Sequence, residues 1–411
     1  MTVLYRIGLF LYMLGAKIAA PFNKKISLFV MGRRGLFSRL EREIGGSGPV
    51  IWFHCPSVGE FEQARPVIER YKNRGGEEKI LLTFFSPSGY ELRKNYPLAD
   101  WVFYLPMDSP RNASRFLDIV KPKMAIFAKY DYWYYYLTGL RERGIPTYII
   151  SAIFREEQPF FKSWGGMWRE MLRCFTTIFV QNEESKTLLL WQGVRNVVVA
   201  GDTRFDRVSD IVSGVPSSNK IVESFVEGKR VLVAGSTWNE DEVRICEAID
   251  GLDLSIVLAP HEVYPDHISR IEEVFHKYKV VRYSQNPSEE DLKGAQILVI
   301  DCIGLLSSLY KYGEFAYIGG GFGAGIHNIL EAATYGRGVI FGPKYSKFQE
   351  ACDLISLGGA VSYTTSGELR ELFELWLNNS EKRAQVSEIS GNYVKGHLGA
   401  SEIFLKEVFS L

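Results

Sequence analysis

The chain has 411 residues, 46% hydrophobic and 23% charged, and its 48 basic and 48 acidic side chains give a formal net charge of zero. That composition excludes extended disorder, and the length suits about two to three domains, each burying its own core. Five scattered cysteines (Cys55, Cys174, Cys246, Cys302, Cys352) form no CxxC pair, and their odd number argues against a disulfide framework and for a reducing compartment.

The charge is unevenly spread. Residues 1–42 carry Arg6, Lys17, Lys24, Lys25, Arg33, Arg34, Arg39 and Arg42 against the single acid Glu41. Within them, VLYRIGLFLYMLGAKIAAPF (3–22) is about as long as a bilayer-spanning helix. Arg6 and Lys17 fall on nearly the same helical face, which suits a helix lying in a membrane interface or a short span with snorkelling ends. A cleaved leader fits less well, because Lys17 stands where the apolar region should continue and no small-x-small site follows. The cations beyond the helix would meet anionic head groups, so 1–42 is expected to associate with a membrane surface. Because this basic cluster joins an apolar helix rather than an aromatic platform, nucleic acid is not an expected partner.

Short apolar runs then alternate with helical stretches: VIWFH, KILLTFF, WVFYLP, MAIFAKY, PTYIIS and TIFVQN read as strands of a parallel sheet over 43–209. Pro66 implies a kink, or a helix whose regular part begins there. Directly after the first strand, Ser57 and Glu60 have the spacing of a capping box, which needs no chemistry. The same turn is where open α/β sheets place their ligand crevice, so a site carboxylate is the second reading of Glu60, behind the cap that the local pattern favours.

A polar break predicts a linker over 210–228, followed by a second α/β series, RVLVAGS, LSIVLAP, KVVRYS, AQILVID, FAYIGGG, GVIFGP and AVSYTT, forming a domain over 229–380. Two such halves suggest facing nucleotide-binding-type domains with a cleft between them. Residues 381–411 are helical in pattern and expected to pack back on the first half. Gly235, Ser236 and Thr237 suit either anion binding or an ordinary turn. His261 follows a buried strand. The run 317–350 places Gly319 to Gly325, His327, Asn328 and Glu331 together, and the last two are predicted one turn apart on a helix where a carboxylate suits ribose hydroxyls. Walker A, HExxH and Ser-His-Asp patterns are absent from the sequence.

The ordered set SVGEFEQA, YLPMDSPRNASRFL, YWYYYL, QNEES, GDTRFD, GSTW, DCIGLL, IGGGF, HNILEAA and FGPKYSKFQE resembles the 3-deoxy-D-manno-octulosonic acid (Kdo) transferases across nearly the whole chain. The resemblance implies a GT-B fold, two Rossmann-like domains with an amino-terminal membrane-associating helix. It implies an inverting transfer of Kdo from CMP-Kdo to a lipid A precursor at the cytoplasmic face of the inner membrane. It makes Glu60 the general base, with Arg204, where lysine is usual, stabilising charge at the reaction centre. Ser236, Thr237, Pro260, His261, Ile303, Gly304, Leu305, Asn328, Ile329, Leu330 and Glu331 would contact the cytidine and phosphate. CMP-Kdo is a substrate rather than a cofactor, and with its one phosphate no metal is expected.

Two motifs depart from the family. KYDYWY stands for the usual Glu-x-Glu-Leu-Trp-Pro, so the acidic stabiliser's place holds Lys129, and either that lysine or Asp131 takes over. His261 stands where arginine is usual. These departures keep open another GT-B glycosyltransferase, a UDP-sugar epimerase or a non-catalytic glycolipid-binding protein as alternatives.

Overall fold

In the computed structural model, which describes residues 2–214 and 218–410, the apolar runs become parallel strands. The chain divides into two compact units, Met1–Arg207 with Leu398–Leu411, and Val208–His397.

The first unit contains β1 (Val50–Cys55), β2 (Lys79–Phe84), β3 (Trp101–Tyr104), β4 (Pro122–Ala128), β5 (Thr147–Ala152), β6 (Thr177–Val180) and β7 (Val197–Val199), ordered 3-2-1-4-5-6-7. Alternation along β1 builds a core on each face. Trp52 packs with Phe116, Phe127 and Tyr136 on one side, while Ile51 and Phe53 pack with Phe61, Val67 and Phe404 on the other. Strand order reverses between β1 and β4, so the loops leaving these two strands flank the topological switch point.

The second unit contains β8 (Val231–Thr237), β9 (Ser255–Pro260), β10 (Val280–Arg282), β11 (Ile297–Val299), β12 (Phe315–Ile318), β13 (Val339–Phe341) and β14 (Ala360–Ser362), ordered 10-11-9-8-12-13-14. Its switch point lies between β8 and β12. The strand Val197–Val199 has no counterpart in the sequence reading, and the helix Val58–Asn73 runs on through Pro66.

The stretch read as a linker, 210–228, carries the end of helix Thr203–Gly214 and the helix Lys220–Val226, with 215–217 outside the described residues. Of the closing segment 381–411, the helix Ser380–Gly396 belongs to the second unit, and only the helix Ala400–Phe409 packs in the first. Asp206 prepares the seat for that last helix. Its carboxylate accepts 2.7 Å bonds from the amides of Gly399 and Ser401, where the helix N-terminus favours negative charge.

At the amino terminus, the helix Thr2–Ala19 and a following turn make one segment long and apolar enough to cross a membrane, with no residue of it buried. Tyr5 ties it down by donating a 2.7 Å bond to Asp108. The basic cluster is not uniformly a surface feature, which corrects the expectation for two of its members. Arg33 donates to the carbonyls of Leu105, Phe29 and Phe85 at 2.8–3.0 Å and lies 4.0 Å over the Phe29 ring. Arg39 donates to the Gly32 carbonyl at 2.7 Å.

Candidate active site

Ser57 ends the turn after β1 in extended backbone, and its hydroxyl oxygen accepts from the Gly59 amide at 3.2 Å, starting the helix that carries Glu60. The reciprocal half of a capping box is absent among the described residues. Glu60 is half-buried and accepts from the Ser57 hydroxyl instead of from a backbone amide. Its second carboxylate oxygen has no hydrogen-bond partner among the described residues, which suits a proton acceptor more than a cap.

Across the switch point, the loop after β4 brings Lys129 and Asp131 to the same end of the sheet. Asp131 accepts from Trp133 Nε1 at 2.7 Å and pairs with Nε2 of the fully buried His54 on β1. Burial pushes the pKa of the Cys55 thiol well up, and the charges of Glu60, Asp131 and Glu62 push it further. Lys129 holds a left-handed backbone, φ 62°, unusual outside glycine.

Arg204 lies in a polar network centred on Asp202. One carboxylate oxygen of Asp202 accepts from Gln63 Nε2 and the Arg204 amide, each at 3.0 Å. The other accepts from Gln181 at 3.1 Å and Arg204 Nε at 2.9 Å. Burial raises the Asp202 pKa, but the Arg204 charge and these bonds, with Lys129 contributing, leave it below the ordinary value. Thr203 adds a 2.6 Å bond to the Gln63 carbonyl, so Arg204 is fixed to the Glu60 helix one turn beyond Glu60.

The second unit gathers its predicted residues at the C-terminal ends of β8, β9, β11 and β12. Close approach at the switch point requires glycine: a Cβ on Gly319 would lie 2.3 Å from the Ser236 carbonyl, and Gly320 has φ +92°. His261 stacks on Trp238 at 4.7 Å and on His327 at 4.2 Å between ring centroids. Trp238 Nε1 donates to His327 Nε2 at 3.1 Å. Because indole only donates, that nitrogen of His327 is an acceptor and the ring is neutral. Burial and, secondly, the neighbouring His261 lower the His327 pKa to about 4.

Ile303 and Gly304 are exposed, and Leu305 leads into a short helix whose Leu306 abuts Gly235. Several predicted contacts differ from their expected form. Thr237 is fully buried and donates its hydroxyl to Glu242 at 2.9 Å, leaving it no free side-chain group. Pro260, Ile329 and Leu330 are also buried, so they shape the loops from beneath. Asn328 is not helical, because the helix begins at Leu330. Asn328 accepts from the Leu330 amide and donates to Glu331 Oε1, both at 3.1 Å. Sequence reasoning passed over His54, Gln63, Asp202 and Trp238. The GSTW and GDTRFD motifs contained two of them.

Residues 31–207 match the family model described as 3-deoxy-D-manno-octulosonic-acid transferase (kdotransferase). The 3-deoxy-D-manno-octulosonic acid transferase of Rickettsia felis is 26% identical over 343 residues, covering 81% of this chain and 72% of that one. A probable mitochondrial 3-deoxy-D-manno-octulosonic acid transferase of Arabidopsis thaliana is 27% identical over 412 residues, covering 92% and 90%. Among solved structures, UDP-GlcNAc 2-epimerase from Neisseria meningitidis superimposes with a TM-score of 0.63 at 16% identity, covering 88% of this chain and 99% of that one. MurG from Acinetobacter baumannii gives 0.54 at 14%, with the same coverage. At such identities the likeness is one of fold. Two parallel Rossmann-like sheets, each with its polar residues at the switch point, define a glycosyltransferase fold of the GT-B type. With its amino-terminal family match and relatives at 26–27% identity spanning both units, the chain is similar to the Kdo transferases.

Proposed function

We propose that this protein transfers Kdo from CMP-Kdo to a lipid A precursor in lipopolysaccharide synthesis, inverting the anomeric centre. The observation that carries the reading is Glu60: a half-buried carboxylate at the β1–β4 switch point, engaged by a hydroxyl and not by an amide. Glu60 removes the proton of the acceptor hydroxyl, whose oxygen forms the new bond to the anomeric carbon. The bond from that carbon to the phosphate oxygen breaks, and its electron pair leaves with CMP. Inversion requires this one positioned base opposite the leaving group.

Arg204, with Lys129 near Asp202, provides positive charge suited to a developing phosphate charge. The second unit is assigned the nucleotide, through Ser236, His261, the exposed Ile303–Gly304 turn, Asn328 and Glu331. CMP-Kdo carries a single phosphate, which gives a divalent ion no pair of phosphates to bridge. We therefore assign the reaction no divalent ion, and EDTA should leave the rate unchanged. The exposed apolar helix, with Lys24, Lys25 and Arg34 beyond it, supports attachment at the cytoplasmic face of the inner membrane.

Incubation of the purified protein with CMP-Kdo and a tetra-acylated lipid A precursor, read by lipid mass, tests donor, acceptor and product together. A mass increase of one or more Kdo units is expected, and Glu60→Ala should abolish it while CMP still binds. Full transfer by a folded Glu60→Ala protein would overturn the assignment of the base. A panel of UDP-sugars should fail to compete with CMP-Kdo.

A further inference from the structure

We propose that Asp131 supplies the second carboxylate of the reaction centre, and that His54, which touches no substrate, is the residue that positions it. This rests on the transferase reading above and assigns the role for which Lys129 and Asp131 are the two candidates.

The argument is one of donors and acceptors. Trp52 Nε1 can only donate, and it donates to Thr83 Oγ1 at 2.8 Å. The single hydroxyl proton of Thr83 then has two places to go, His54 Nδ1 at 2.8 Å or the Phe53 carbonyl at 3.4 Å. The shorter contact is the stronger one, so Nδ1 accepts. A neutral His54 must then carry its proton on Nε2, where it donates to Asp131 Oδ2. Trp133 Nε1 donates to the same oxygen at 2.7 Å, with its ring packed 4.8 Å from Phe85. The relay Trp52, Thr83, His54, Asp131 thus runs in one direction and ends on the carboxylate of Asp131.

His54 and Thr83 are completely buried on neighbouring strands, which makes the orientation rigid. Asp131 Oδ1 has no hydrogen-bond partner among the described residues, and the side chain is 15% exposed. One oxygen is therefore held and the other remains for substrate. The two candidates also keep different company. The charge of Lys129 acts on Asp202, in the Arg204 network, whereas that of Asp131 acts on Asp108 and, with those of Glu60 and Glu62, on Cys55 at the end of β1. Lys129 belongs with the cations that suit phosphate. Asp131 belongs where positive charge grows on the anomeric carbon, and a fixed carboxylate there lowers the barrier without accepting a proton.

The test uses the full chain in detergent or vesicles. Asp131→Asn should lower kcat on the order of 100-fold, with CMP affinity unchanged by calorimetry. His54→Leu should lower kcat about tenfold to a hundredfold through misplacement of Asp131, at nearly constant KM for CMP-Kdo. His54→Gln, whose amide nitrogen can stand in for Nε2, should recover most of that loss. A folded Asp131→Asn protein within twofold of wild type overturns the role of Asp131, and a His54→Gln protein as slow as His54→Leu overturns positioning. Imidazole 15N shifts at neutral pH read the relay without any turnover: the Nε2–H tautomer is expected, and the Nδ1–H tautomer overturns it. Failure of wild-type protein to transfer Kdo overturns the transferase reading and Asp131's role with it, while the tautomer still decides the relay.

Discussion

Gln63 donates a 3.0 Å hydrogen bond to Asp202, joining the helix that carries Glu60 to the turn that carries Arg204. Both partners are buried, and the bond closes 139 residues of chain. Gln63→Leu removes one of four donors to the Asp202 carboxylate and leaves the others in place. A loss of about 1–3 kcal/mol is expected for the lost hydrogen bond to a buried carboxylate, read by urea unfolding of the first unit. The Kdo transfer rate should fall more steeply than CMP binding, because CMP is assigned to the second unit. Equal losses in both would show that the network supports the whole fold instead of the base and cation.

Membrane attachment and fold stability draw on different members of the basic cluster. Lys24, Lys25 and Arg34 are exposed, whereas Arg33 is consumed by three carbonyls and the Phe29 ring, where burial lowers its pKa to about 10. Alanine at each exposed position should weaken binding to anionic vesicles by about 1 kcal/mol, or roughly fivefold, with no change in melting temperature. Arg33→Ala should do the reverse, lowering the melting temperature with little effect on vesicle binding. Flotation and thermal melts on the same four proteins decide it.

The strands were largely legible because buried parallel strands read as continuous apolar runs, and the runs at 50–54 and 254–260 coincide with β1 and β9 to within a residue. Val197–Val199, a half-buried edge strand of three residues, was passed over although VVVA is itself a short apolar run. Glu60 was visible because one local turn defines it. His54 was not, since its meaning depends on Thr83, 29 residues away, and Asp131, 77 residues away. Asp202 is hidden in the same way. Asn328 was misplaced onto a helix because an Asn three residues before Glu suggests one turn, whereas its side chain caps the helix from outside.

His327 gives the second unit a defined response to acid. Its ordinary pKa is 6.5 and its folded value about 4, so between those limits the unfolded chain takes up a proton that the folded unit refuses. The stability contributed by the neutral ring is complete above pH 6.5 and is lost as the pH falls to about 4. Protonation would also place a donor against the indole N–H of Trp238. Thermal melts from pH 8 to 4 should show a steeper acid decline for wild type than for His327→Gln. Parallel curves would refute the neutral assignment.

The last helix supports the one that bears Glu60. Phe404 and Leu405 belong to the apolar cluster that contains Phe61, Ala64, Val67 and Ile68 from the helix bearing Glu60. Phe404 meets Phe179 edge-on at 4.9 Å and is 1% exposed. Phe404→Ala leaves a cavity beneath that helix, and a loss of about 3–5 kcal/mol is expected. Asp206, which receives the Gly399 and Ser401 amides and lies 3.2 Å from Arg70, fixes the other end of the contact. The first unit should therefore melt earlier in the Phe404→Ala protein while the second keeps its transition. At temperatures where the first unit stays folded, CMP affinity should be unchanged and Kdo transfer reduced, because the cavity loosens the seat of Glu60. Retention of the full wild-type transfer rate under those conditions would show that Glu60 is held by the sheet and the Ser57 turn without help from the carboxy-terminal helix.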